Sequence, residues 1–186
     1  LEVLEANLSF VPSSTSKKEV ADISLYDHVK LTAAFASAIY AYLKKQNITD
    51  YKTELYKNAS LFYDKKAFLL ASLDISGIQK FIYTITTKSA LKSLRSRSFY
   101  LEIMMEHIID TLLDKLHLSR ANLIYSGGGH CYMILPNTKE TQTIFDEEIK
   151  NVNKWFLKHF QTALFIAGAY VPCSSKDLQN EPNGSY

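Results

Sequence analysis

The sequence predicts an α+β fold, with strands and helices alternating behind a helical N-terminal segment. Three observations carry this. Lys66–Asp74 is a continuous apolar run closed by an acid, which reads as a buried central strand. Residues 121–135 place two apolar runs around Ser126-Gly127-Gly128-Gly129-His130, a hairpin signal. Residues 162–171 form another apolar run that reads as a buried strand. From residue 66 onward the order is strand, helix, hairpin, helix, strand. That is the split βαβ, or ferredoxin-like (βαββαβ), arrangement.

Residues 1–21 open as a short mixed segment, with an exposed loop at Pro12–Lys18. Asp22 is a candidate N-cap for an amphipathic helix over 23–46. Leu25, Val29, Ala33, Ala36, Tyr40 and Leu43 set its packed face. Asn47 to Ser60 reads as a polar linker with room for a short helical turn. After the first strand, Ser76 and Gly77 break the chain. Ile78, Phe81 and Ile82 then share one face of a short helix. Residues 84–96 read as a basic loop or ragged helix. Ser98 caps a long helix near 98–118, marked by Leu101, Met105, Ile108, Leu112 and Leu116. The hairpin strands fall near 121–126 and 130–135. Thr138 caps a helix with Phe145, Ile149, Val152 and Phe156 on its apolar face. Its acids Glu140, Asp146, Glu147 and Glu148 gather toward the start, where the helix dipole favours them. Residues 172–186 read as a frayed tail. In this topology the first strand lies beside the first strand of the hairpin. Asp74 and the Ser126–His130 tip then meet at one edge of the sheet.

Bulk composition narrows the function classes. With 186 residues, 47% hydrophobic and 22% charged, the chain can bury a real core. No stretch approaches the roughly 20 apolar residues that cross a bilayer, so no membrane partner is expected. A start at Leu1 rather than Met fits a piece of something longer. Two distant cysteines, Cys131 and Cys173, give neither a disulfide framework nor a zinc quartet. A reducing, cytoplasmic setting is the simpler reading. A net charge of +2 neither demands nor excludes nucleic acid.

Several positions carry candidate chemistry, each beside a plainer role. Asp74 can bind a divalent metal or cap the following helix. Ser76, Gly77 and the amides after them form a helix start that suits phosphate, or an ordinary strand-to-helix turn. His130 is a ligand or a hydrogen-bonded structural residue. Lys88, Lys92, Arg95 and Arg97 can contact phosphate or RNA, or form a solvated positive face. His28 beside Asp27 resembles half of a metal site, and one pair is not a complete set. The triple glycine lacks the Lys-Ser/Thr of a phosphate-binding P-loop.

Four strings together resemble one family. They are Asp22-Ile-Ser-Leu-Tyr-Asp-His-Val-Lys-Leu-Thr-Ala-Ala, Asp74-Ile-Ser-Gly-Ile-Gln-Lys-Phe-Ile-Tyr, Leu94-Arg-Ser-Arg-Ser-Phe-Tyr-Leu-Glu and Tyr125-Ser-Gly-Gly-Gly-His. Over residues 10–171 the chain resembles the large palm-bearing subunit of type III CRISPR effector complexes, nearest the III-A (Csm) branch. The resemblance implies an HD nuclease domain that cuts single-stranded DNA. It also implies two palm domains, of the nucleotidyl cyclase and polymerase type, that turn ATP into cyclic oligoadenylate when target RNA is bound. On that reading residues 1–60 are the helical end of the HD domain plus linker. Residues 61–172 are the first palm, and 173–186 a flexible tail or linker. The implied partners are other Csm subunits, guide and target RNA, single-stranded DNA and the second palm.

The family's Gly-Gly-Asp-Asp hairpin lies in the second palm. Here Gly129 and His130 stand where the acids would be, so no catalytic residue is expected in this chain. Divalent metal (Mg or Mn) is expected mainly on the second palm, outside it. Asp74, Ile75, Ser76 and Gly77 would line one wall of an ATP pocket, and Ser126, Gly127, Gly128, Gly129 and His130 the other. His28 gains weight as a metal contact, because it falls in the HD segment. A scaffold without a nucleotide role and a free-standing cyclase-like domain are the competing classes.

Overall fold

The computed structural model describes every residue except 17, 19, 21, 84–89 and 180–186. The expected helix near the N-terminus is preceded by a short exposed helix, α1 (Glu2–Leu8). The main helix α2 spans Leu25–Lys45. Its cap is Ser24, not Asp22. An isolated bridge between Pro12 and Ser24 holds Ser24 extended, so the helix starts after it. The Ser24 hydroxyl accepts from the Asp27 amide at 3.0 Å and donates to the Asp27 carboxylate at 2.7 Å.

The packed face of α2 also differs from the expected one. Ala34, Ala38 and Leu43 are buried, while Val29, Ala33, Ala36 and Tyr40 are exposed. The small Ala38 lets the helix lie close to the sheet, against Phe68, Ile134 and Cys173. A π-helical turn (Thr53–Lys57) and α3 (Ala59–Tyr63) follow, where a linker with a helical turn was expected.

The remaining described elements are β1 (Phe68–Ser76), α4 (Ile78–Tyr83), α5 (Ala90–Lys115), a 3-10 turn (Arg120–Asn122), β2 (Leu123–Gly127), β3 (His130–Pro136), α6 (Lys139–Phe160) and β4 (Phe165–Cys173). The strands form one antiparallel sheet in the order β2-β3-β1-β4. β1 is central, as its apolar run predicts. Its hairpin neighbour, however, is β3, the second hairpin strand. β3 is seven residues long and mostly buried, whereas the five-residue β2 is mostly half-buried, as suits an inner and an edge strand.

Helices α5 and α6 cover one face of the sheet. Leu69, Ala71, Leu73 and Ile75 meet Leu101, Met105, Ile109, Leu112, Phe145 and Phe156 in that core. α2 covers only the Phe68 end of the other face. The rest of that face is open, so β1 alternates rather than being buried on both sides, and Leu70 is 38% exposed. β4 likewise is an edge strand with Phe165 and Val171 exposed, not a buried one.

Buried Asn122 ties α2 to the hairpin. Its amide donates to the Ala34 carbonyl at 3.2 Å and the Ile134 carbonyl at 3.0 Å, and it accepts from Ser37 at 3.1 Å. Thr138 caps α6 as expected, accepting from the Thr141 amide at 3.1 Å. Asn153 of α6 clasps β4 through both the amide and the carbonyl of Ile166, each at 2.9 Å.

Helix α5 starts about two turns earlier than expected, and Ser98 lies inside it. The Arg97 guanidinium explains this. It donates to the Phe81 carbonyl at 2.5 Å and stacks on the Phe81 ring at 5.3 Å, bracing the first turns of α5 against α4. Residues 172–179 of the expected tail are packed on the fold, and 180–186 lie outside the described residues. Asp177 accepts from the Ser174 amide and hydroxyl and from Lys66, and Leu178 packs beside Phe68 and Cys173.

Candidate functional site

The end of β1 and the tip of the hairpin meet, as the sequence predicts. Asp74 pairs with His130 across the sheet. The Ile75 amide donates to the Gly129 carbonyl at 2.8 Å. His130 Nδ1 lies 3.6 Å from Asp74 Oδ1, an ion pair when the imidazole is protonated. Ser76 Oγ donates to Asp74 Oδ2 at 3.2 Å. Both Asp74 and His130 sit on the open face, about half and one-third exposed.

The tip is a two-residue turn. Gly128 and Gly129 both have positive φ, +62° and +83°, as a type I′ hairpin turn requires. A side chain on Gly129 would run into Ile78, whereas Gly128 faces open space. Gly77 follows β1 at φ +90°, with the Ala163 carbonyl where a Cβ would be. The β1–α4 turn is therefore pressed directly against the turn leading into β4.

Ser126 does not join this group. A register shift between Leu123 and Tyr125 puts Ser126 opposite buried Cys131, on the helix side. There its hydroxyl donates to Glu106 at 2.9 Å, and Glu106 also pairs with Arg120. Ile75 likewise is a core residue, contributing its backbone to the site rather than its side chain.

Two tyrosines that sequence reasoning passed over stand beside the tip. Tyr125 and Tyr132 pair across β2 and β3 on the open face, 54% and 42% exposed. The Tyr132 ring meets His130 edge-on at 4.6 Å. The signal was the period-two spacing of Tyr125 and Gly127, and of His130 and Tyr132, once the turn is placed at 128–129. Across β1, the matching positions of β4 are the small Ala167 and Ala169. The open face is thus a low floor with an aromatic wall, a carboxylate and hydroxyls.

The other candidates lie apart from it. Lys92 and Arg95 are exposed on α5, Arg97 braces α4, and Lys88 lies outside the described residues. His28 is exposed on α2, where its neighbour Asp27 is occupied by the Ser24 cap. Among the described residues no three His, Cys, Asp or Glu side chains gather to hold a metal. Cys131 is no nucleophile, since burial pushes its thiol up to about 11. No helix of the described residues is long and apolar enough to cross a membrane.

Comparison with known proteins decides the family. The model of Csm1 subunit domain B matches residues 67–186. The chain belongs to the Csm1 family. Over 185 residues it is 52% identical to the CRISPR system single-strand-specific deoxyribonuclease Cas10/Csm1 (subtype III-A) of Mycobacterium tuberculosis, covering 100% of this chain and 23% of that one. A Csm1–Csm4 cassette solved in complex with pppApA matches at TM-score 0.82 and 34% identity, covering 97% of this chain and 24% of that one. The same cassette with cA4 matches at TM-score 0.81 and 35% identity, over 97% and 23%. Cassette structures with one ATP and with AMPPNP are also similar. The chain therefore spans about a quarter of the length of the relatives it matches.

Proposed function

We propose that this chain is the first palm, with the helical segment before it, of a type III-A effector large subunit. In this reading it is a ferredoxin-like palm that forms one wall of an ATP pocket. The second palm of the same subunit forms the other wall, and the pair converts ATP into cyclic oligoadenylate when target RNA is bound. The whole subunit also cuts single-stranded DNA and assembles with other Csm subunits and guide RNA. The β2-β3-β1-β4 order, with both long helices on one face, supports the palm assignment. The nucleotides in the solved relatives support the ATP role.

One observation carries the reading: the fold brings Asp74, Ser76 and the glycine turn with His130 together on an uncovered sheet face. The bare Gly128 leaves space for a close approach, and the Asp74 carboxylate and Ser76 hydroxyl offer polar contacts to a sugar or base. A single carboxylate and an imidazole fall short of the oxygen-rich donor set that Mg or Mn takes. In this reading the metals are held by the second palm, and this chain's residues bind and orient.

A scaffold without a nucleotide role is the second reading. It is favoured by Ser126 and Arg97, both occupied in packing. One experiment separates the two: ATP titrated into the full-length subunit with Asp74→Ala. The pocket reading expects about tenfold weaker binding, the loss of roughly one charged hydrogen bond, with less cyclic product on RNA activation. Unchanged affinity and unchanged product would overturn it in favour of the scaffold.

A further inference from the structure

Charge is sharply segregated along this chain. Residues 75–101 carry five cations (Lys80, Lys88, Lys92, Arg95 and Arg97) and no acid, in a chain whose net charge is +2. The three of these cations that stand on α5 divide by what they do. Arg97 turns toward α4 and is held by Phe81. Lys92 and Arg95 point the other way, and neither makes an ion pair with a described residue. Their three-residue spacing continues at four-residue steps through Phe99 and Ile103, so all four share one face of α5. Phe99 is 64% exposed and Ile103 51%. The acids on this side begin only at Glu102. The next of them, Glu106, is already held by Arg120 and Ser126.

We propose that this face of α5 is a track for single-stranded DNA. The proposal rests on the reading that the whole subunit acts on such a strand. Lys92 and Arg95 contact successive phosphates, and the Phe99 ring stacks on an unpaired base. Exposed cations beside an exposed aromatic ring are the pattern of sequence-tolerant single-strand binding. A duplex hides its base faces from a ring standing on a helix, so the unpaired strand is the form that fits. A surface whose cations precede its first acid, Glu102, also complements a polyanion better than it complements a protein of mixed charge.

The test is fluorescence anisotropy of a labelled oligodeoxythymidine on the full-length subunit, across a range of salt. Lys92→Ala/Arg95→Ala should bind more weakly. Its salt slope should be shallower by about 1.4, which is roughly 0.7 for each of two single-strand phosphates. Phe99→Ala should weaken binding about tenfold at an unchanged slope, and Phe99→Trp should restore it. Both positions are solvent-facing, and an unchanged melting temperature excludes misfolding.

Wild-type affinity and slope in both variants would overturn the track. So would loss of oligouridine binding with oligodeoxythymidine binding intact, which would make RNA the occupant. Loss of subunit assembly with both nucleic acids still bound would make the face a protein interface and overturn it as well. Cleavage of the strand is followed in parallel. A wild type that shows the predicted losses in its variants yet cuts no strand would overturn the nuclease reading and support the track.

Discussion

Replacing Gly77 by alanine tests the close approach that shapes the candidate site. Two costs arise there. At φ +90° an L side chain is strained, by about 1–2 kcal/mol. The new Cβ also overlaps the Ala163 carbonyl oxygen, with the carbonyl carbon at 3.1 Å and Leu164 Cα at 3.6 Å. All three obstacles are backbone, so no rotamer relieves them and one of the two turns must move. Overpacking of this kind costs a further 1–3 kcal/mol, roughly. The total is about 2–5 kcal/mol. Gly128→Ala is the internal control. It meets the same class of strain at φ +62° but has nothing within 4 Å. It should cost only about 1–2 kcal/mol. Urea unfolding followed through Trp155, the single tryptophan, reads both variants. At about 2–4 °C per kcal/mol for a chain of this size, thermal melting should separate them by several degrees. Equal losses for Gly77→Ala and Gly128→Ala would refute the reasoning, because the contact with Ala163 would then contribute nothing.

Two further outcomes follow from single side chains. Asn122→Ala should lower stability by about 3 kcal/mol, near 1 kcal/mol for each of three neutral hydrogen bonds, and urea unfolding measures it. A loss under about 0.5 kcal/mol would mean that apolar contacts alone hold α2 on the sheet. Asp177 is held well below the usual carboxylate range by its hydrogen bond from Lys66, then by those from the Ser174 amide and hydroxyl. A carboxyl whose pKa falls on folding stabilises above its unfolded pKa, about 3.9, and that contribution is lost as pH drops through the folded value. Melting of Asp177→Asn should therefore lie below wild type at pH 7 and converge with it on acidification below about pH 4. A difference that persists unchanged down to pH 2 would assign the effect to packing instead.

Element order was legible in the sequence because each strand and helix carries its own period and its own break. Thr138 could be read as a cap, since a hydroxyl before an apolar-periodic run has one common use. What failed was whatever depends on a partner. The exposed spacing of Val29, Ala33, Ala36 and Tyr40 is as helical as that of Ala34, Ala38 and Leu43, and only the sheet decides between them. The start of α5 depends on Arg97 finding the Phe81 carbonyl. Two apolar strands could each claim the place beside β1, and the deeper burial of β3 settles it.

The candidate site follows the same rule, and the placement of Ser126 away from it has a definite cause. Asp74 and His130 could be placed together because each stands at the end of a strand, where topology alone brings them near. Ser126 could not. In a regular ladder continuing from Leu123 opposite Met133, Ser126 would face His130 on the open side. The shift between Leu123 and Tyr125 moves every later residue of β2 by one place, which turns Ser126 inward to Glu106 and Tyr125 outward beside Tyr132. The same tip also constrains position 129. With φ at +83° and the end of the Ile78 side chain against it, a side chain at that position is strained and needs Ile78 to shift. An acid placed at 129 would therefore need Ile78, at the start of α4, to move as well as the turn to bear the strain.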